Sequence, residues 1–230
     1  MAPALGAIHG AIEGVDQHRD RPSGVLRLNT SLGAAQLVLR PLILAYLRRY
    51  PGMKVELVTD NALIDIVAGG FDAGFRLAET VPVDMTAVTV IPAIRSIVVG
   101  SPAYFEGRVP PRSPSDLKNH TGVRARMASG AVYRWEFEKR GQAVEIDVPG
   151  DLTLDDAGLI HEAALEGVGL AYVTEYSVRD DLAAGRLLQV LEDWTPSYPG
   201  LQLYYPGRRH APAKLRAFID MARAYAKTAA

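Results

Sequence analysis

The residues of this sequence that could do chemistry are five histidines, the adjacent aspartates Asp155 and Asp156, and a short turn rich in hydroxyl and amide groups. The histidines stand at 9, 18, 120, 161 and 210, and none has a ligand-type neighbour at metal-binding spacing. His161 falls inside a helical pattern beside Glu162, which is the setting of a structural histidine rather than a general base. Asp155 and Asp156 are adjacent, so their side chains do not converge on a helix, and aspartate at a helix start is the ordinary cap. The stretch "VVGSPAYF" lacks the second glycine of a nucleophile elbow, and Pro102 would disturb that turn. There is no Walker loop, and "GVGLAY" lacks the third glycine and the following helix of a dinucleotide fingerprint. The scan therefore yields no catalytic set, no metal ligands and no cofactor site, which weighs against an enzyme.

The hydroxyl-bearing turn is "NTSLG", residues 29–33. It follows the alternating run "VLRLN" and precedes a run in which Leu37, Leu39, Leu42, Ile43, Tyr46 and Leu47 recur with the spacing of a helical face. Thr30 or Ser31 can cap that helix. The first helical N–H groups also lack internal partners and the N-terminus is electropositive, so the same turn suits a carboxylate or similar anion. Local physics is satisfied by the cap alone. A second stretch, "RARMASGAVYRWEFEKRG", sets arginines among Tyr133, Trp135 and Phe137; it reads as a strand with alternating faces, or as a flexible Ala128-Ser129-Gly130 loop on a pocket rim. The run Arg208-Arg209-His210 reads as a solvated loop.

These residues must be positioned by an alternation of elements. The periods predict a strand at 25–29, a helix at 33–49, a strand at 53–59, a short helix begun by Asp60 or Asn61, and a strand at 72–77. "MTAVTVIP" and "IRSIVVGSP" read as two further strands with Pro92 between them. The pattern loosens from Ser101 to Gly150, where "SPSDLKNH" is a short capped helix and "AVYRWEFEK" with "AVEIDV" a hairpin. A strand, a helix opened by Asp155 or Asp156 and closed near Gly167, and another strand follow. Next come the helix "TEYSVRDDLAAG", the strand "RLLQVL", the linker-like "EDWTPSYPG" and a final strand "LQLYYP". Pro212 opens a closing helix with Leu215, Phe218, Ile219 and Ala222 on one face. Strands separated by helices imply an α/β class with a mainly parallel sheet and ligands at strand-end crevices or between lobes. In the first 22 residues, Leu5, Ile8, Ile12 and Val15 form a narrow heptad-like seam that wants a partner helix, ended at Pro22-Ser23-Gly24.

At 230 residues, 48% hydrophobic and 22% charged, the chain can bury a sizeable core in one large domain or two lobes. Its 25 basic and 26 acidic residues nearly cancel, so no strong positive field is available to hold a phosphate backbone. It has no cysteine, and its N-terminus has neither the basic start nor the apolar run of a signal peptide. No segment approaches the roughly 18 apolar residues of a membrane span. A cytoplasmic protein is expected.

From residue 23 to 225 the chain resembles the effector-binding domain of a LysR-type transcriptional regulator. The likeness lies in the order and spacing of "RPSGVLRLN", "YLRRYPGMKVELV", "GGFDAGFRLAE", "IRSIVVGSPAYF", "PRSPSDLKNHTGVR", "YRWEFEK", "AALEGVGLAYV", "LAAGRLLQVLEDW" and "LYYPGRRHAPAKLRAFID". It implies two Rossmann-like lobes on a type 2 periplasmic-binding-protein plan, with a small effector, a carboxylate or an aromatic compound, in the cleft. It assigns residues 23–93 and 197–230 to the first lobe and 94–196 to the second. Implied effector contacts are Thr30, Ser31 and Gly33 at the first strand-to-helix turn, Arg95 and Ser96 near the crossing, Ser129 and Gly130 in a second-lobe loop, and Asp155 before the second-lobe helix. Many relatives carry serine or threonine where this chain has Gly33, which leaves that contact to the backbone N–H. Residues 1–22 resemble the end of a linker helix that pairs two subunits, so a homodimer is expected, or a tetramer in a full-length protein. DNA contact would belong to a winged helix-turn-helix that is not in this chain. A solute-binding protein of a transport system is the rival on the same fold.

Overall fold

The computed structural model describes residues 22–207 and 211–228. Its strands are β1 (Gly24–Thr30), β2 (Met53–Thr59), β3 (Ala73–Leu77), β4 (Met85–Ile94), β5 (Ser96–Gly100), β6 (Gly122–Ala125), β7 (Trp135–Lys139), β8 (Gln142–Ile146), β9 (Thr153–Leu154), β10 (Leu170–Thr174), β11 (Leu188–Val190) and β12 (Tyr198–Pro206). The α-helices are α1 (Leu32–Val38), α2 (Ala45–Arg49), α3 (Pro102–Phe105), α4 (Ala157–Leu165), α5 (Glu175–Ala183) and α6 (Ala213–Thr228). They divide into two compact units, one comprising the described residues up to Pro92 and from Pro199 onward, the other Ala93–Tyr198. The heptad-like seam Leu5–Val15 and the run 208–210 lie outside the described residues.

The first unit is built on a sheet in the order β2-β1-β3-β12-β4. β1 pairs in parallel with β2 and β3, whereas β12 returns antiparallel to β3. The expected mainly parallel sheet is therefore mixed, because β12 re-enters from the second unit. Leu26 and Leu28 of β1, Phe75 of β3 and Phe218 of α6 are fully buried. The Tyr46 and Phe218 rings meet edge to face with centroids 5.2 Å apart, an arrangement that suits the aromatic quadrupoles. The four residues expected on the buried face of the closing helix, Leu215, Phe218, Ile219 and Ala222, are the ones α6 buries.

Three local expectations are corrected. The helix predicted at 33–49 is α1, a π-helical stretch Leu39–Leu44, and α2. Pro41 lies in that stretch; it has no N–H for the i−4 carbonyl, and a widened turn relieves its ring's clash there. No helix begins at Asp60 or Asn61. Asp60 Oδ1 accepts from the Ala62 N–H at 2.9 Å, a local turn, and Asn61 Oδ1 from the Leu32 N–H of α1 at 3.2 Å, so neither side chain caps a helix of its own segment. β4 also runs on through Pro92, which an edge strand tolerates because the missing donor need not fill a ladder bond. At the other crossing, Tyr198–Gly200 of the linker-like segment already belong to β12.

The second unit carries a sheet in the order β11-β5-β10-β6-β9 and a hairpin, β7-β8. β10 is antiparallel to β5 and parallel to β6. One sheet face buries Ile97, Val99, Ala171 and Val173 against Ile160, Ala164 and Val178 of α4 and α5. The other packs Val98 and Leu170 with Tyr104, Leu117, Trp135 and Phe137. The alternation of β10 thus serves two apolar layers, as a strand covered on both faces must.

Candidate functional site

In the first unit the β1–α1 turn stands at the C-terminal end of β1, where Thr30 pairs with Thr59 of β2 and Phe75 of β3. Thr30 is fully buried and its hydroxyl donates to the Ser31 carbonyl at 3.2 Å. The cap is Ser31, whose Oγ accepts from the Ala34 N–H at 3.2 Å with extended backbone, φ −73 and ψ 157. Of the first helical donors, Leu32 N–H is taken by Asn61 and Ala34 N–H by Ser31. Gly33 is exposed, and a Cβ built on it meets nothing within 4 Å.

The turn is closed from the side by the segment after β2. The Asp60 N–H donates to the Thr30 carbonyl at 2.8 Å. Arg76 of β3, 5% exposed, donates to Asn29 Oδ1 at 2.7 Å and to the carbonyls of Ala62 at 3.0 Å and Asp60 at 3.3 Å. Arg76 went unread in the sequence because an arginine in an apolar strand gives no periodic signal of its own.

In the second unit, strand direction gathers the remaining predicted positions. Ser96 begins β5 opposite Thr174, the last residue of the antiparallel β10. The parallel strands β6 and β9 end beside one another, at Ala125 and Leu154. Ser96, the loop after β6 and Asp155 therefore occupy one end of one sheet. Ser129 and Gly130 form a tight turn there: the Gly130 N–H donates to the Met127 carbonyl at 2.8 Å, and Gly130 has φ +86, a conformation glycine adopts at little cost. Arg126 holds the turn by donating to the Gly130 carbonyl at 2.9 Å. Asp156, not Asp155, caps α4, accepting from the Leu159 N–H at 2.9 Å; Asp155 is exposed on the strand-end side.

Arg95 is spent differently. It donates to the carbonyls of Thr195 and Glu192 and to Thr195 Oγ1, which ties β5 to the segment entering β12. Ser96 Oγ lies 3.0 Å from Tyr198 Oη. Beside them Tyr172 is flanked by Tyr133 and Trp135, with near-parallel rings at 6.1 and 5.7 Å, and donates its hydroxyl to the Glu136 carbonyl at 2.8 Å. Burial pushes the Tyr172 and Tyr133 phenols well above their ordinary value, so both remain neutral donors. Tyr172 and Tyr198 were missed as site neighbours; Tyr172 sits in a run that reads only as strand, and Tyr198 in the linker-like "EDWTPSYPG".

The chain matches the LysR substrate-binding domain model over residues 19–227. It belongs to the LysR substrate-binding domain family. The LysR-type domain is 40% identical over 228 residues to the HTH-type transcriptional regulator YcaN of Escherichia coli (strain K12), covering 99% of this chain and 73% of that protein. It is 37% identical to the HTH-type transcriptional regulator PgrR of the same organism, covering 96% of this chain and 74% of that one. The regulatory domain of AphB in Vibrio vulnificus superimposes with a TM-score of 0.74 at 23% identity, over 88% of this chain and 98% of that one; the likeness is one of fold, the type 2 periplasmic-binding-protein plan. The solute-binding reading is not favoured by these relatives.

Elsewhere in the LysR-type domain, the two described histidines are bonded within the fold. His161 Nε2 lies 2.7 Å from Asp181 Oδ2. His120 is buried, with Nδ1 3.1 Å from Tyr104 Oη; burial lowers its pKa. Among the described residues no three His, Asp or Glu groups could hold a metal ion, and no helix is long and apolar enough to cross a membrane. A cavity of about 540 Å³ walled by Arg108, Arg112, Asn119 and His120 lies in the β5–β6 connection, toward the other end of the sheet from Ser96.

Proposed function

We propose that this domain senses a small organic effector, a carboxylate or an aromatic compound, through Thr30, Ser31 and Gly33 of the first unit and Ser96, Ser129, Gly130 and Asp155 of the second. The observation that carries the reading is the convergence of the second-unit positions on one sheet end, beside the Tyr133–Tyr172 pair, in a chain whose family is one of substrate-binding domains. Arg95 joins this set and also braces the Glu192–Thr195 turn. The two units correspond in this reading to the two lobes. The domain acts in a cytoplasmic homodimer, or a tetramer of the full-length regulator, and relays effector binding to a DNA-reading helix-turn-helix segment without catalysing a reaction.

Thermal-shift screening of small organic acids and aromatics tests it. A ligand at a hundred times its dissociation constant should stabilise by roughly 2.7 kcal/mol. A hit whose affinity is insensitive to Ser31→Ala, Ser96→Ala and Ser129→Ala together would place the binding elsewhere.

A further inference from the structure

Arg76 sits one step past Phe75, the residue in register with Thr30, and so stands abreast of Ser31 on the neighbouring parallel strand. Its guanidinium is buried, yet the groups that accept its hydrogen bonds are formally neutral: Asn29 Oδ1 and the carbonyls of Asp60, Ala62 and Phe75. None of the ion pairs among the described residues, counted to 4.0 Å, includes it. Asp60 acts on it only from beyond that distance, its Oδ1 accepting from the Ala62 N–H. A cation taken out of water is costly unless a counter-charge answers it. Here the direct partners are dipoles, and the acidic group that favours the charge, Asp60, acts from beyond ion-pair distance.

The same bonds hold the segment that closes over the β1–α1 turn. Arg76 binds the carbonyls on either side of Asn61, and Asn61 occupies the Leu32 N–H. A neutral donor could serve those carbonyls, but it would not bring the charge.

We infer that Arg76 is a positioning and specificity-determining residue that makes the effector edge of the first unit select a small organic anion. The inference rests on the effector reading above and narrows it. Arg76 does not touch the effector; it fixes the Asp60–Ala62 segment and biases the Thr30–Gly33 turn through a positive field that Asp60 offsets only from a distance.

The test uses shape-matched acid and amide probes: benzoate with benzamide, salicylate with salicylamide, succinate with succinamide. Binding to the whole chain is followed by calorimetry and by the backbone amide spectrum. At least one acid is expected to move the amides of residues 29–33 and 60–62 and to bind at least tenfold more tightly than its amide. Arg76→Met should erase that preference, and Arg76→Lys should keep it while weakening both members. Arg76→Gln, which retains a donor for the Ala62 carbonyl, replaces the methionine variant if that one does not fold. An amide bound as tightly as its acid, or an acid preference that survives removal of the charge, overturns the inference and leaves the effector reading standing. If no acid moves those amides the inference also falls. If uncharged aromatics then leave both these amides and those around Ser96 and Tyr198 unmoved, the effector reading falls with it.

Discussion

Ser96 Oγ and Tyr198 Oη lie 3.0 Å apart, which joins the first residue of β5 to the first residue of β12, 102 positions along the chain. One pair of hydroxyls thus fastens the entrance of the second unit to its exit. Arg95 does the same one residue earlier, through Thr195 and Glu192.

A double-mutant cycle on Ser96→Ala and Tyr198→Phe should show a coupling of about 0.5–1.5 kcal/mol in urea unfolding, the net worth of one partly buried hydrogen bond. A coupling near zero would mean that water serves each hydroxyl equally well.

Ser31→Ala removes the cap of α1 and a hydroxyl from the turn. Stability should fall by about 1 kcal/mol, and affinity for a verified effector by a further 1–3 kcal/mol where a buried acceptor is left unpaired. Thermal melts and calorimetry separate the two. Unchanged affinity beside a lowered melting temperature would make Ser31 a cap and nothing more.

Gly33 lies in α1 without a positive φ, and a Cβ there meets open space. Gly33→Ala should therefore stabilise the domain by roughly 0.5–1 kcal/mol, by lowering the entropy of the unfolded chain. Gly33→Ser should fold as well as the parent and add a hydroxyl at the turn, to be read as a change in effector affinity. A loss of stability in the alanine variant would show that the glycine is needed for backbone reasons.

Asp181 receives Arg186 Nε at 2.6 Å and has His161 Nε2 2.7 Å away. Burial alone would raise its pKa; the hydrogen bonds from Arg186 and His161 outweigh that and hold it below the ordinary 3.8. A carboxyl depressed on folding stabilises the native state fully above its unfolded pKa, and that stability is lost as the pH falls through the lower native value. Asp181→Asn should cost about 1–2 kcal/mol near pH 6, since it weakens hydrogen bonds to a carboxylate whose partner Arg186 is more than half exposed. Its deficit against the parent should shrink below about pH 3.8 in urea titrations. A deficit constant from pH 6 to pH 3 would assign the loss to packing.

Where the sequence carried a period, the elements were legible: β1, β2, β10 and the buried face of α6 follow directly from apolar spacing. The β1–α1 turn was legible too, because Ser and Thr ahead of a helical run have a specific backbone use, although the fold itself selects Ser31 over Thr30 as the cap. The failures share a cause. The segment after β2 looked like a helix start because Asp60 and Asn61 are good caps, and capping residues serve isolated turns equally well. The mixed sheet was hidden because period 2 says nothing about strand direction. Arg76 and Tyr198 matter through partners 47 and 102 positions away, and no local window contains both ends of such a contact.

The first unit is discontinuous in the chain: β3 must wait for β12, which pairs Leu201 with Leu77 and Tyr204 with Gly74, and for α6, which brings Phe218 to Phe75. During synthesis the residues between them emerge first, and they form a unit with its own two apolar layers. The inserted unit is thus free to fold on the ribosome while the earlier strands are still short of their sheet, and the order of assembly runs from the middle of the chain outward. Until β12 and α6 have been made, β1, β2 and β3 offer a half-covered apolar surface.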